Sequence, residues 1–358
     1  MTTERGRDVD LRGPAGHGRD LGSPASGSGP GTVGAVEVAT HSAAVLDELS
    51  RAVVGKRDVV ELVLAAMLAG GHVLIEDVPG VAKTLMARSF ALVTRLRFSR
   101  IQFTPDLLPA DVTGSLMPTP GAGTLEFSPG PIFANLVLGD EINRAPPKTQ
   151  AAVLEAMAEG QVTVDGVSHP LPEPFFVLAT QNPIEAEGTY PLPEAQLDRF
   201  LVRVGVGYPS GPDEREMVRR RVDRGEERVE LSPLLDAPDV VALQRRVEAV
   251  HVDDDVVDYC VALVEATRAH EALELGASPR GTLALVRMAR GLAAVRGRDF
   301  VVPDDVKQVS AAVLAHRVVL RSESWVRGVT AAQVLAEVTE QVPLPEPLTA
   351  ADRQSLGA

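Results

Sequence analysis

Between Val73 and Val206 short apolar segments alternate with segments of helical period, and beyond Tyr208-Pro209 the strand-like segments stop. Val73 to Ile75, Ile101 to Phe103, Leu136 to Leu138, Phe175 to Ala179 and Leu201 to Val206 read as buried strands, with helices expected from Thr84 and from Pro146. Parallel strands need crossover connections, so this alternation predicts an α/β domain built on a mostly parallel sheet. Two segments interrupt it. Ser115 to Met117 and Thr124 to Phe127 flank Pro120-Gly121-Ala122-Gly123, and Gln161 to Val164 and Val167 to His169 flank Asp165-Gly166, a two-residue hairpin signal. From Val240 to Leu320 the pattern predicts helices only, including one opened by Ser278-Pro279 and another by Pro303-Asp304-Asp305. The expected organisation is a tail over 1–34, an α/β domain over 35–208, a smaller all-α domain over 209–330 and a C-terminal extension over 331–358.

Composition narrows the function classes. The tail is rich in Gly, Ser and Pro and its charges balance, so the formal charge of -14 belongs to the rest of the chain; the tail is expected to be disordered. A strongly acidic chain with 4% aromatics lacks both the basic footprint and the stacking platforms of a nucleic-acid binder. The single cysteine, Cys260, allows neither an internal disulfide nor a Cys-based zinc site, and the seven histidines are not spaced as metal ligands. His72 and His169 are expected to be structural. No apolar run reaches bilayer length, so no membrane insertion is expected, and the absence of a signal-peptide pattern over residues 1–33 predicts a cytoplasmic protein.

The chemistry concentrates in Val73-Leu74-Ile75-Glu76-Asp77-Val78-Pro79-Gly80-Val81-Ala82-Lys83-Thr84, a strand, a turn, Lys-Thr and a helix. This is the layout of a P-loop: backbone N–H groups from Gly80 to Thr84 cradle phosphate at a helix start, Lys83 reaches the β and γ oxygens, and the Thr84 hydroxyl ligates Mg²⁺. Asp77 and Ala82 stand where the full pattern has glycines, and Asp77 is expected to bring negative charge near the phosphates. Farther along, the strand Leu136 to Leu138 ends in Gly139-Asp140-Glu141. A carboxylate at a strand's C-terminal end beside a P-loop can hold the water shell of Mg²⁺, the expected role of Asp140, while Glu141 is placed to take a proton from an attacking water.

These segments, with Asp140-Glu141-Ile142-Asn143-Arg144-Ala145-Pro146-Pro147-Lys148-Thr149-Gln150, Ala179-Thr180-Gln181-Asn182-Pro183 and Glu194-Ala195-Gln196-Leu197-Asp198-Arg199-Phe200, resemble the MoxR family of AAA+ ATPases over about residues 40–330. The resemblance implies an AAA+ P-loop sheet domain whose two hairpins are the helix-2 and pre-sensor-1 inserts, facing a ring pore, followed by an all-α lid. It implies that Asn182 is the sensor-1 residue that reads the γ-phosphate, although Asn-Pro also serves plain turns. Arg199 then matches the arginine finger that reaches a neighbouring subunit's nucleotide; a salt bridge with Asp198 is the plainer reading, and Arg203 is the rival candidate. Arg280 matches sensor 2, acting in cis or in trans, or stands simply exposed. Val54 and Gly55, with Pro79 to Thr84, fall at the family's nucleotide-binding positions. Gln102, beside the expected Asp140-Glu141 strand, is either a switch that restrains Glu141 or an ordinary sheet residue.

The implied function is Mg²⁺-dependent ATP hydrolysis by a homo-oligomeric, hexameric ring that remodels or activates a separate client, such as a protein with a von Willebrand factor A domain. Two alternatives belong to other classes. A nucleic-acid-remodelling relative would place basic residues at the hairpin tips, yet residues 115–127 and 161–171 contain no Lys or Arg. A nucleotide switch that binds without turnover would not need Glu141, Asn182 and Arg199 together.

Overall fold

The structure, a computed structural model, describes residues 30–78, 80–119, 124–183, 188–226 and 228–345. Residues 1–29 of the expected tail lie outside the described residues, as do Pro79 and the Pro120 to Gly123 turn. Residues 30–34, assigned to the tail by composition, instead open the helix α1 (Pro30–Ser50). Its core face follows the helical spacing of Ala35, Val38, Val45, Leu46 and Leu49, all buried. Next, α2 (Arg57–Leu68) is stopped at Gly70, whose φ of 69° lets the chain turn while Gly71 N–H bonds back to Ala66 O.

The α/β alternation follows. In order come β1 (Val73–Glu76), α3 (Lys83–Val93), β2 (Phe98–Gln102), α4 (Pro109–Thr113), β3 (Gly114–Pro118), β4 (Leu125–Pro129) and β5 (Leu136–Asp140). After a short 3-10 turn at Ile142–Arg144 come α5 (Pro147–Glu159), β6 (Gln161–Val164), β7 (Val167–Pro170), β8 (Phe176–Gln181), α6 (Glu194–Leu197) and β9 (Val202–Val204). Five of these strands form one parallel sheet in the order β2-β5-β8-β1-β9. The central strands β5 and β8 are buried along nearly their whole length because helices cover both faces. Strand alternation divides the core: Val73 and Ile75 face one cluster with α1, α2 and α3, while Leu74, Val137 and Val177 face the other, with α4 and α5.

Both expected hairpins are present, β3 with β4 and β6 with β7. Asp165 and Gly166 both have positive φ, 50° and 80°, as a tight hairpin turn requires. Phe127 of β4 stacks on His169 of β7 with ring centroids 3.8 Å apart, joining the two insertions.

The rest of the chain comprises α7 (Gly211–Arg224), α8 (Ala237–Glu248), α9 (Asp254–Ala269), β10 (Leu273–Leu275), α10 (Pro279–Val295), α11 (Pro303–Leu314), β11 (Val319–Leu320), α12 (Ser322–Val326) and α13 (Ala331–Gln341). The helices-only expectation for 240–320 is corrected by β10 and β11, which pair antiparallel. Strands of three and two residues are too short to show alternation in a sequence. The helix α13, set apart in the sequence reading as an extension, buries Val334, Leu335 and Val338 in the same cluster as α9 to α11. That cluster is continuous with α1 and α2. At Gly291 of α10 an added Cβ would lie 2.6 Å from Ala65 O of α2, so only glycine permits this approach. Among the described residues no helix is long and apolar enough to cross a membrane.

Candidate nucleotide site

A cleft of about 380 Å³ opens at the C-terminal end of the parallel strands, lined by Gly80 to Leu85 together with Asp140, Glu141, Thr180 and Asn182. It therefore gathers Gly80, Val81, Ala82, Lys83, Thr84, Asp140, Glu141 and Asn182 from three separate strand ends. Local chemistry shapes the loop. Gly80 has φ of 86° and Ala82, the residue before α3, has φ of 59°, in the left-handed region that favours glycine. Lys83 opens α3 and its Nζ donates to Asp77 O at 2.7 Å.

Asp77 does not do what its charge suggests. Its carboxylate accepts from Val78 N–H at 2.8 Å and from Gly207 N–H, and it does not line the cleft. The expected negative charge near the phosphates is corrected to a brace between the loop and the connection that leads to α7. Two backbone donors at short range satisfy a carboxylate well and hold it there.

The two acids are held in place by neighbours from two strands, β2 and β8, and from the turn that follows β5. Thr180 Oγ1 donates to Asp140 Oδ1 at 2.7 Å and accepts from Glu141 N–H at 2.9 Å. Glu141 has φ of 59°, an uncommon conformation for a non-glycine residue, and the Thr180 bond helps to hold it. Gln102 Nε2 donates to Glu141 Oε2 at 3.1 Å, and Arg144 Nη1 lies 3.2 Å from the same oxygen. Arg100 forms an ion pair with Asp140 Oδ2 at 2.6 Å. Thr180 and Arg100 had no signal of their own in the sequence, because their proximity to the acids depends on strand order, whereas Arg144 is only three residues from Glu141. The Thr84 hydroxyl and the Asp140 carboxylate are hard oxygen donors in one cleft, a set that suits Mg²⁺.

The two remaining arginines lie elsewhere. Arg199 and Arg280 line a second cleft with Gly71, His72, Asp198, Arg287 and Arg317. Since Gly71 and His72 precede β1 and the P-loop follows it, the two clefts lie at opposite ends of that strand, about 13 Å apart for its length. Arg199 Nη1 donates to Leu154 O at 3.0 Å, and Arg280, 70% exposed, stands 3.8 Å from Asp198. Arg317 is buried and grips the loop that carries Arg199: it donates from Nε to Asp198 Oδ1 at 2.7 Å and from Nη2 to Phe200 O at 2.7 Å. The Asp198 carboxylate is thus engaged by Arg317 rather than by Arg199. Arg203 is occupied at both ends, by Glu76 at 2.7 Å and by Ala315 O at 3.0 Å.

Val54 and Gly55 do not line the P-loop cleft. Gly55, with φ of 71°, packs against Asp213 at the start of α7, where an added Cβ would lie 2.2 Å from the carboxyl carbon. The neighbouring Lys56 donates to Tyr208 O at 2.8 Å, so this turn abuts the same connection that Asp77 braces. His72 is structural, as expected. Its Nδ1 accepts from Val177 N–H at 3.1 Å, which leaves Nε2–H to donate to Met157 O at 3.0 Å, and burial first, then the Arg287 charge, lowers its pKa to about 4.

Comparison with known proteins agrees with this geometry. Residues 72–202 match the family model for the ATPase family associated with various cellular activities, and residues 265–338 match the AAA lid domain. The chain is 48% identical to the Bacillus subtilis protein YeaC over 300 residues, which cover 84% of this chain and 93% of that one. It is 44% identical to the chaperone MoxR1 of Mycobacterium tuberculosis over 344 residues, covering 93% of this chain and 89% of the relative. A solved structure described as an ATPase candidate from Cytophaga hutchinsonii superimposes with a TM-score of 0.80 at 37% identity, covering 87% of this chain and 97% of that one. With the P-loop, the paired acids, both hairpins and the lid in place, the chain belongs to the MoxR family of AAA+ ATPases.

Proposed function

We propose that the protein is a Mg²⁺-dependent ATPase that works as a homo-oligomeric ring, of six subunits by family analogy, and remodels or activates a separate client protein. The observation that carries this reading is the division of one catalytic set between opposite ends of β1: the P-loop and acids at one end, Arg199 and Arg280 at the other. A complete site then needs two copies of the chain, which a ring supplies at every junction. Because Arg280 shares a cleft with Arg199, we read it as facing the neighbour's nucleotide as well, and the double engagement of Arg203 supports Arg199 over it as the finger.

In this mechanism the N–H groups of Gly80 to Thr84 hold the β-phosphate and Lys83 the β and γ oxygens. Mg²⁺, held by Thr84 and through water by Asp140, would neutralise phosphate charge. Glu141 accepts the proton of the attacking water and Asn182 orients that water. Arg199 from the next subunit stabilises charge on the departing phosphoryl group, an effect worth about a thousand-fold or more in related chemistry. The chaperone named among the relatives supports a protein client, and the family resemblance points to one with a von Willebrand factor A domain.

Steady-state hydrolysis by wild type, Lys83→Ala, Glu141→Gln and Arg199→Ala, with the mass of the assembly measured with and without ATP, tests this. Lys83→Ala is expected to lose nucleotide binding, and the other two to bind without turnover. Equal slow turnover by wild type and Glu141→Gln in an assembled ring would leave a nucleotide switch in its place.

A further inference from the structure

The edge strand of the sheet sets a cation on one of the two acids of the P-loop cleft. Arg100, on β2, donates to Asp140 Oδ2 from Nη2 at 2.6 Å and from Nε at 3.2 Å, and its Nη2 also reaches Gln102 Oε1 at 2.8 Å. In the β2–β5 register Gln102 stands opposite Asp140 and Arg100 opposite Leu138, two residues earlier on the same face. A long guanidinium side chain spans that diagonal. Thr180 holds Asp140 Oδ1 at 2.7 Å and Arg100 holds Oδ2, so both oxygens of the acid are engaged by protein donors. The Arg100 side chain is 41% exposed on an edge strand, so it anchors no core. Of its partners, Asp140 is assigned above to metal binding, and Gln102 donates to Glu141, assigned above to water activation.

We propose that Arg100 occupies the cation's place at Asp140 in the nucleotide-free chain and must leave it for Mg²⁺ to bind with nucleotide, so that Arg100 sets the Mg²⁺ concentration the site requires. The inference rests on reading this cleft as a Mg²⁺-nucleotide site. Two adjacent acids with no metal repel each other, and a guanidinium on each, Arg100 on Asp140 and Arg144 on Glu141, offsets that repulsion until the metal arrives. A metal-bound water must share an oxygen of Asp140 with these donors, and Arg100 is the donor whose positive charge opposes Mg²⁺ there, so the two cations compete for the same carboxylate. Because Arg100 also holds the Gln102 amide oxygen, its departure removes one of the contacts that fix Gln102 against Glu141.

The test is Mg²⁺-dependent binding of a fluorescent N-methylanthraniloyl ATP analogue to the full chain, starting from EDTA. In Arg100→Met the half-saturating Mg²⁺ concentration falls about five-fold, the equivalent of a partly exposed ion pair, while affinity in EDTA stays within about two-fold of wild type. Arg100→Lys keeps a charge but loses the fork that spans Asp140 and Gln102, and its midpoint falls about two-fold. Circular-dichroism melting in EDTA verifies that each variant is folded. An unchanged or higher Mg²⁺ midpoint in both variants overturns the proposal. If wild type binds the analogue neither with nor without Mg²⁺, the nucleotide-site reading itself fails and the inference falls with it.

Discussion

Gln102 Nε2 donates to Glu141 Oε2 at 3.1 Å, reaching from the last residue of the edge strand to the residue that follows its neighbour. A carboxylate that accepts this bond, with Arg144 also at 3.2 Å, is turned toward protein donors rather than left free for a water. Replacing Gln102 by Ala is expected to raise client-free turnover about five-fold, the equivalent of one hydrogen bond, with KM for ATP nearly constant. Turnover that drops in Gln102→Ala would make Gln102 a positioning residue for Glu141 instead of a restraint.

The separation of Arg199 from its own P-loop predicts complementation. Lys83→Ala and Arg199→Ala are each inactive alone, but in mixed rings an Arg199→Ala subunit's intact P-loop can meet the intact finger of a Lys83→Ala neighbour. Random mixing at equal amounts restores roughly a quarter of the junctions, so ATPase activity returns to about that fraction if sites act independently. Mixtures that stay inactive while assembling normally would count against the shared site.

Acid sensitivity is expected from His72. Its folded-state pKa of about 4 lies below the ordinary value of 6.5, so the folded chain resists binding a proton that the unfolded chain accepts. This contribution is fully present above pH 6.5 and declines as pH falls toward 4, reaching about 2 kcal/mol lost by pH 5 and about 3 kcal/mol in all. Urea unfolding at pH 7.5 and pH 5 should show this part of the slope in wild type and not in His72→Gln, whatever the absolute stability of the variant.

Ala82 sits at φ of 59° where the general P-loop pattern has glycine. A left-handed alanine costs about 1–2 kcal/mol, partly offset by the greater unfolded-state freedom of glycine. Ala82→Gly is therefore expected to stabilise the nucleotide-free chain by about 0.5 kcal/mol, and thermal unfolding with calorimetry checks it. Destabilisation would mean that the Ala82 methyl makes packing contacts that outweigh the strain.

Much of the site was legible because its parts are local. The strand, turn, Lys83 and Thr84 are contiguous, and Asp140-Glu141 announces itself as two acids at the end of an apolar run. The Asp165-Gly166 turn is written in two residues. Arg100 and Thr180 were not legible, because neither stands near Asp140 in the chain, and only the order β2-β5-β8 brings them to it. Asp77 misled for a related reason: its charge is visible in the sequence, but its partner Gly207 is 130 residues away.

The sequence by itself determined the local chemistry: which turn can cradle phosphate, which strand ends in acids, which segments are helices and which are hairpins. These follow from spacing, φ preference and hydrophobic period over a dozen residues or fewer. Tertiary structure decided everything that depends on direction in space. It set Arg199 and Arg280 at the end of β1 away from the P-loop, joined the lid helices to α1 and α2 in one core, and placed Arg100 on Asp140. Side chains far apart in sequence meet only through the register and order of parallel strands, and no short window of residues encodes that order.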